Sequence, residues 1–197
     1  MTRVELTELG YIVPITTVPS ILTRGILSHR RAGNIQHESI ALQGVQDRRA
    51  KVIVPNGRPL HDYANLYICP RNPMLLKRRD IHAQICVLRV NAGVLDIPNV
   101  VVTDSNAGSK YVRFSPAPGG LAIVNKERTF ARWWNHPDDQ VEQWRHSSQK
   151  CAEVLVPDLV PVRYIDGAYV SGEEGHQTLT DAGFDLPVTI TGDLFFR

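Results

Sequence analysis

The chain has 197 residues, 43% of them hydrophobic and 21% charged, with a formal net charge of +2. That is enough material for one domain, residues 1–197, with a core that needs no disulfide support. Three cysteines, Cys69, Cys86 and Cys151, are odd in number and lack CxxC spacing, so a reduced, cytoplasmic protein is expected; no apolar run reaches membrane-spanning length, and an opening that carries Glu5 and Glu8 is too acidic for a signal peptide.

Taken in order, Gly10 to Val13 reads as a first strand. Thr17 then stands as an N-cap before Pro19, with a short helix from Ser20 to Arg24 stopped by Gly25. Residues 29–43 are polar and aperiodic and read as a long loop, of the kind that is functional when it occurs in a compact domain. Val45 to Ala50 makes about one helical turn, and because successive helical side chains diverge by about 100°, only one of Arg48 and Arg49 faces a pocket squarely. Leu66 to Cys69 is a strand ended by Pro70, and Pro73 starts a short helix. The most apolar strand, Gln84 to Val90, belongs at the centre of a sheet.

Further strands are expected at Val100–Thr103, briefly at Tyr111–Phe114, and near residues 162–165, 168–171 and 187–190. Residues 125–135 look helical, with Phe130, Trp133 and Trp134 spaced as a core-facing stripe, while His136 to Gln149 reads as a polar, mobile segment. Many short strands, few short helices and long loops define an α+β domain with a mostly antiparallel core.

In the strand at 151–156, alternation puts Cys151, Glu153 and Leu155 on one face and Ala152, Val154 and Val156 on the other. A carboxylate in mid-strand is costly to bury without a charged or polar partner. Glu153 is therefore either a structural acid paired with an arginine or a catalytic one. Arginine supplies 17 of the 22 basic residues and clusters at Arg30-Arg31, Arg48-Arg49 and Lys77-Arg78-Arg79, a choice suited to phosphate ligands. Seven histidines show no ligand spacing, so no metal site is expected, and no GxGxxG, P-loop or GxSxG is present.

His61-Asp62-Tyr63 followed by Tyr67-Ile68-Cys69-Pro70-Arg71-Asn72-Pro73-Met74-Leu75 resembles the signature of the DarT family, NAD-dependent ADP-ribosyltransferases that modify a base of single-stranded DNA. Further blocks follow in the family's order: Val18-Pro19-Ser20-Ile21-Leu22, Val45-Gln46-Asp47-Arg48-Arg49, Thr103-Asp104-Ser105-Asn106-Ala107, Trp134-Asn135-His136, and Ala152-Glu153-Val154-Leu155-Val156. The resemblance covers roughly residues 10–170 and implies an ADP-ribosyltransferase fold, a split sheet around an NAD cleft. It implies Glu153 and Arg49 as the catalytic residues, with NAD contacted by Tyr11, Ile12, Val13, Ser20, Ser28 and Arg49. Residues 33–51 would cover NAD and 106–153 would recognise the target, with Tyr67, Met74, Asn106, Lys110 and Tyr111 as candidate acceptor contacts. It also implies a toxin paired with a macrodomain antitoxin.

The chain departs from the family at the first strand, where many relatives carry His-x-x-His-x-Asp-Asn-Leu and this sequence has Tyr11, Pro14, Thr16 and Thr17. A tyrosine still offers a phenol to a ribose hydroxyl. Transfer to RNA, protein or water, and a nucleic-acid-binding module without catalysis, are the alternatives to DNA modification.

Overall fold

A computed structural model describes residues 1–35 and 43–197. In chain order the elements are β1 (Glu8–Pro14), α1 (Val18–Arg24), β2 (Ile26–Leu27), α2 (His29–Ala32), α3 (Gln43–Arg49), β3 (Tyr63–Tyr67), α4 (Pro73–Leu76) and β4 (Ile85–Asn91). There follow β5 (Val101–Thr103), β6 (Phe114–Pro116), α5 (Lys126–Phe130), α6 (Gln140–Gln149), β7 (Glu153–Pro157), β8 (Leu159–Val160), β9 (Ile165–Val170), α7 (Glu173–Asp181) and β10 (Val188–Ile190).

Eight strands form one sheet in the order β10-β9-β4-β1-β3-β7-β5-β6, and β2 and β8 form a separate two-stranded ladder. Among the described strands only the β10–β9 pairing is parallel. The apolar run read as central is β4, wholly inside the sheet between β9 and β1. Ala152, Val154 and Val156 enter the main core with Ala64, Leu66, Leu88 and Val90, on the face that alternation assigned them.

The sheet opens between β1 and β3. Seven residue pairs join β1 to β4, but β1 and β3 meet at one pair, Gly10 and Tyr67. A side chain at Gly10 would sit 2.7 Å from Pro70 Cβ, so only glycine permits that approach. Beyond it the two strands diverge, and the gap between them is the mouth of a cavity.

Several elements differ from the sequence expectations for identifiable reasons. Thr17 makes no side-chain cap to α1; Pro19 is in its first turn. Residues 29–32 form α2 rather than loop, because Ser28 accepts from the Arg31 amide as N-cap. The part of the loop at 36–42 lies outside the described residues. The expected helix at 125–135 stops at Phe130, because Lys150 Nζ takes the carbonyls of Thr129 and Ala131 at 2.8 and 2.9 Å. The aromatic stripe breaks with it: Trp134 is buried edge-on against Phe196, whereas Phe130 and Trp133 face solvent. The segment read as mobile contains α6, whose N-cap Asp139 accepts from the Glu142 amide at 2.9 Å. Residues 162–164 are a 3-10 turn, the strand near 111–114 begins only at Phe114, and α7 was not anticipated.

Candidate active site

β7 delivers Glu153 by its register. Glu153 lies opposite Tyr67 of β3, and Leu155 opposite Asn65, so one face of the strand pair carries Tyr63, Asn65, Tyr67, Cys151 and Glu153 towards the split. The Glu153 amide donates to Thr103 Oγ1 at 3.1 Å, and that hydroxyl in turn donates to the Ser105 carbonyl at 2.7 Å. The strand is thereby fastened to β5 beside its key residue.

The Glu153 carboxylate is completely buried and fully coordinated. Arg49 Nη1 and Nη2 donate to Oε1 and Oε2 at 2.9 and 3.0 Å, a bidentate fork, and the Ala107 amide donates to Oε1 at 3.0 Å. Burial disfavours the Arg49 charge, but the Glu153 charge and hydrogen bonds outweigh it, so the guanidinium pKa rises above its already high ordinary value. Arg49 can stabilise charge; it cannot serve as a proton acceptor. The turn at 106–109 lies directly on it: a Cβ on Gly108 would come within 3.1 Å of Arg49 Cγ.

Arg49 separates Glu153 from a cavity of about 430 Å³, within the range of small-molecule sites. Tyr11, Ile12, Val13 and Ser20 line it on the β1–α1 side, and Tyr67, Met74 and Asn106 on the other, with Arg49 between. Its wall also carries Arg48, Lys77, Arg78, His29 and His61, and among the described residues no carboxylate. Both arginines of the pair contribute to the wall, but Arg49 is the buried one and Arg48 is exposed. A cavity with this charge pattern favours an anionic, phosphate-bearing ligand.

The phenols at the centre stay neutral. Burial raises Tyr11 to about 12 and raises Tyr67 still more clearly, with Glu153 adding to the second effect. His61, whose ring centroid lies 4.1 Å from that of His29, has its pKa lowered by burial first and then by the nearby His29, Arg49 and Arg30. Three lining residues hold buried polar atoms with no hydrogen-bond partner, Gln46 Oε1, His61 Nε2 and Ser148 Oγ, which a ligand can satisfy.

Besides Glu153, which lies behind Arg49, three residues expected at the site are not on its wall. Ser28 is buried as the cap of α2, which places His29 on the wall. Lys110 and Tyr111 sit outside, the ammonium 5.6 Å from the ring centroid and the ring 82% exposed. Sequence reasoning did not reach His29, Gln46, Ser147 or Ser148 as lining residues. The Lys77-Arg78 cluster was the visible signal for two others.

The model of one protein family, described as "ssDNA thymidine ADP-ribosyltransferase, DarT", matches residues 11–196. A DNA ADP-ribosyl transferase–DNA ADP-ribosyl glycohydrolase fusion protein of Thermosipho africanus is 33% identical; the match covers 96% of this chain and 49% of the fusion, so the chain spans about half the length of that relative. The structure of Thermus sp. 2.9 DarT in complex with ADP-ribosylated ssDNA superposes with a TM-score of 0.81 at 27% identity, covering 98% of both chains. The same Thermus protein in complex with NAD+ gives a TM-score of 0.77 at 26% identity, over 96% of this chain and 98% of that one.

Proposed function

The chain belongs to the DarT family, and from that premise we propose that it transfers ADP-ribose from NAD to a thymidine base of single-stranded DNA, releasing nicotinamide. The observation that carries this reading is the buried Arg49–Glu153 fork, presented through Arg49 to a cavity whose charged wall residues, among those described, are all basic.

Cleaving the nicotinamide–ribose bond generates an oxocarbenium-like ribosyl cation, which a carboxylate stabilises. Glu153 takes that role. Because Arg49 now stands between it and the cavity, the fork must release at least one carboxylate oxygen before Glu153 meets the ribose. Arg49, permanently charged, then positions and stabilises the acceptor base. The basic wall residues neutralise the diphosphate, Tyr11, Ile12, Val13 and Ser20 hold the nucleotide, and Tyr67, Met74 and Asn106 face the acceptor. Ser28 acts at one remove, by fixing α2 and with it His29; Lys110 and Tyr111 act from outside the cavity.

The wider setting belongs to the same proposal. All 197 residues act as one transferase domain in the cytoplasm. The Thermosipho relative's name joins transferase and glycohydrolase, and the partner class for this chain is an antitoxin of that second kind, a macrodomain that removes the mark. No helix among the described residues is long and apolar enough to cross a membrane, and all three cysteines are free and buried.

Labelled NAD incubated with the protein and, separately, single-stranded DNA, RNA of the same sequence, a protein mixture or buffer tests the reading. Label on DNA alone, with equal release of nicotinamide, is expected. Label on RNA or protein, or nicotinamide released without attachment, overturns it.

A further inference from the structure

In the sequence between β6 and β7 lie four exposed large apolar side chains, Phe130, Trp133, Val141 and Trp144. Two of them lie on α6, and their placement there follows a helical rule. At about 100° per residue, Val141, Trp144, Arg145 and Ser148 fall within an arc of about 100°, while His146 and Lys150 point to the opposite, buried side. Val141 and Trp144 are 59% and 67% exposed. Ser148, at the other end of the same stripe, lines the cavity, and its buried hydroxyl has no hydrogen-bond partner. One face of α6 therefore carries Val141 and Trp144 in solvent and reaches the cavity wall at Ser148.

We infer that Trp144 is a stacking platform for the base adjacent to the one that enters the cavity, on the same single strand. This rests on the proposed transfer reaction. One helical turn, about 6 Å of rise, separates Trp144 from Ser148, the order of one nucleotide step along an extended strand. An indole face accepts any base, and Arg145 beside it, bonded to Glu142 through Nη1 at 3.1 Å with its side chain 63% exposed, leaves the rest of its guanidinium open to the backbone. Of the carboxylates on this helix, Glu142 is engaged by Arg128 and Arg145, and Asp139 accepts from the Glu142 amide at the far, N-terminal end from the cavity. Continuity with the cavity favours nucleic acid over a second copy of the chain as the occupant of the stripe.

Transfer to an oligonucleotide containing a single thymidine, measured for the wild type, Trp144→Ala and Trp144→Phe, tests the assignment. Trp144→Ala is expected to raise KM for the oligonucleotide roughly tenfold with kcat and NAD affinity unchanged, and Trp144→Phe to recover most of the loss. An abasic site on one side of the thymidine should reproduce the loss in the wild type and add nothing in Trp144→Ala. Wild-type KM in Trp144→Ala, or an abasic penalty equal in both proteins, overturns the inference. So does sedimentation showing a wild-type dimer that Trp144→Ala converts to monomer, which would give the stripe to a second copy. A wild type that modifies no oligonucleotide sinks the transferase reading and this inference together; active wild type with an unaffected Trp144→Ala sinks the inference alone.

Discussion

Glu153 and Arg49 are separated by 104 positions in sequence and joined by two hydrogen bonds. A mid-strand carboxylate in an arginine-rich chain made such a pair legible beforehand, and so did the two family-like blocks that hold it. The structure shows the arginine-paired acid, and in the proposed reaction the partner that makes Glu153 tolerable to bury is also the residue that controls its access to the cavity. A buried pair gives little net stability, but removing one partner strands the other. Glu153→Ala is accordingly expected to abolish transfer and to lower unfolding stability by about 3 kcal/mol, with Glu153→Ala/Arg49→Met recovering much of the stability and none of the activity; urea titration alongside transfer assays checks both. Arg49→Ala should cost far more activity than Arg48→Ala, since only Arg49 is buried against Glu153. Equal losses would mean that wall charge, and not the fork, is what matters. Tyr11 lines the cavity where many relatives carry histidine, and Tyr11→Phe is expected to weaken NAD binding about fivefold, roughly 1 kcal/mol, by calorimetric titration. Lys110 and Tyr111, named as acceptor contacts by resemblance, lie off the cavity wall, where the side chain of Tyr111 is exposed.

Caps decide the elements around the site, and most were readable only in part. Asn72 is completely buried, accepts from the Met74 and Leu75 amides at 2.9 and 3.1 Å, and donates to the Cys69 carbonyl at 3.1 Å. It starts α4 and ties it to the end of β3, which places Met74 on the cavity wall. Asn72→Ala should cost about 2 kcal/mol of stability, beyond an exposed cap, because three partners, two of them buried, lose their bonds; thermal and urea unfolding measure it. The sequence showed Pro73 as a helix start and not the weight carried by the asparagine before it. Asp139 and Glu142 likewise form a capping pattern that was visible, yet polarity alone suggested mobility. The aromatic spacing at 130–134 misled for the opposite reason: a distant lysine, Lys150, ends the helix, and no local pattern announces that.

At the scale of the molecule, the fold class and the central strand followed from composition and periodicity, while the point at which the sheet splits depended on a single close approach at Gly10. Titration is also a property of the whole. Burial lowers the pKa of His146 and of His61 below the ordinary 6.5. The unfolded chain therefore takes up protons near pH 6.5 that the folded chain refuses, and stability must fall as pH drops through that value. Urea midpoints should decline between about pH 7.5 and 5.5, and the decline should be shallower in His61→Gln/His146→Gln. A flat wild-type profile would contradict the burial of both rings.

The proposed transfer requires Glu153 to act on NAD in the presence of a thymidine base. The direct measurement is the intact mass of a single-stranded oligonucleotide with one thymidine after incubation with NAD and either the wild type or Glu153→Gln. Addition of one ADP-ribose by the wild type, none by Glu153→Gln, and none when cytidine replaces the thymidine is the predicted result. Comparable modification by Glu153→Gln, or modification of the thymidine-free strand, would contradict it.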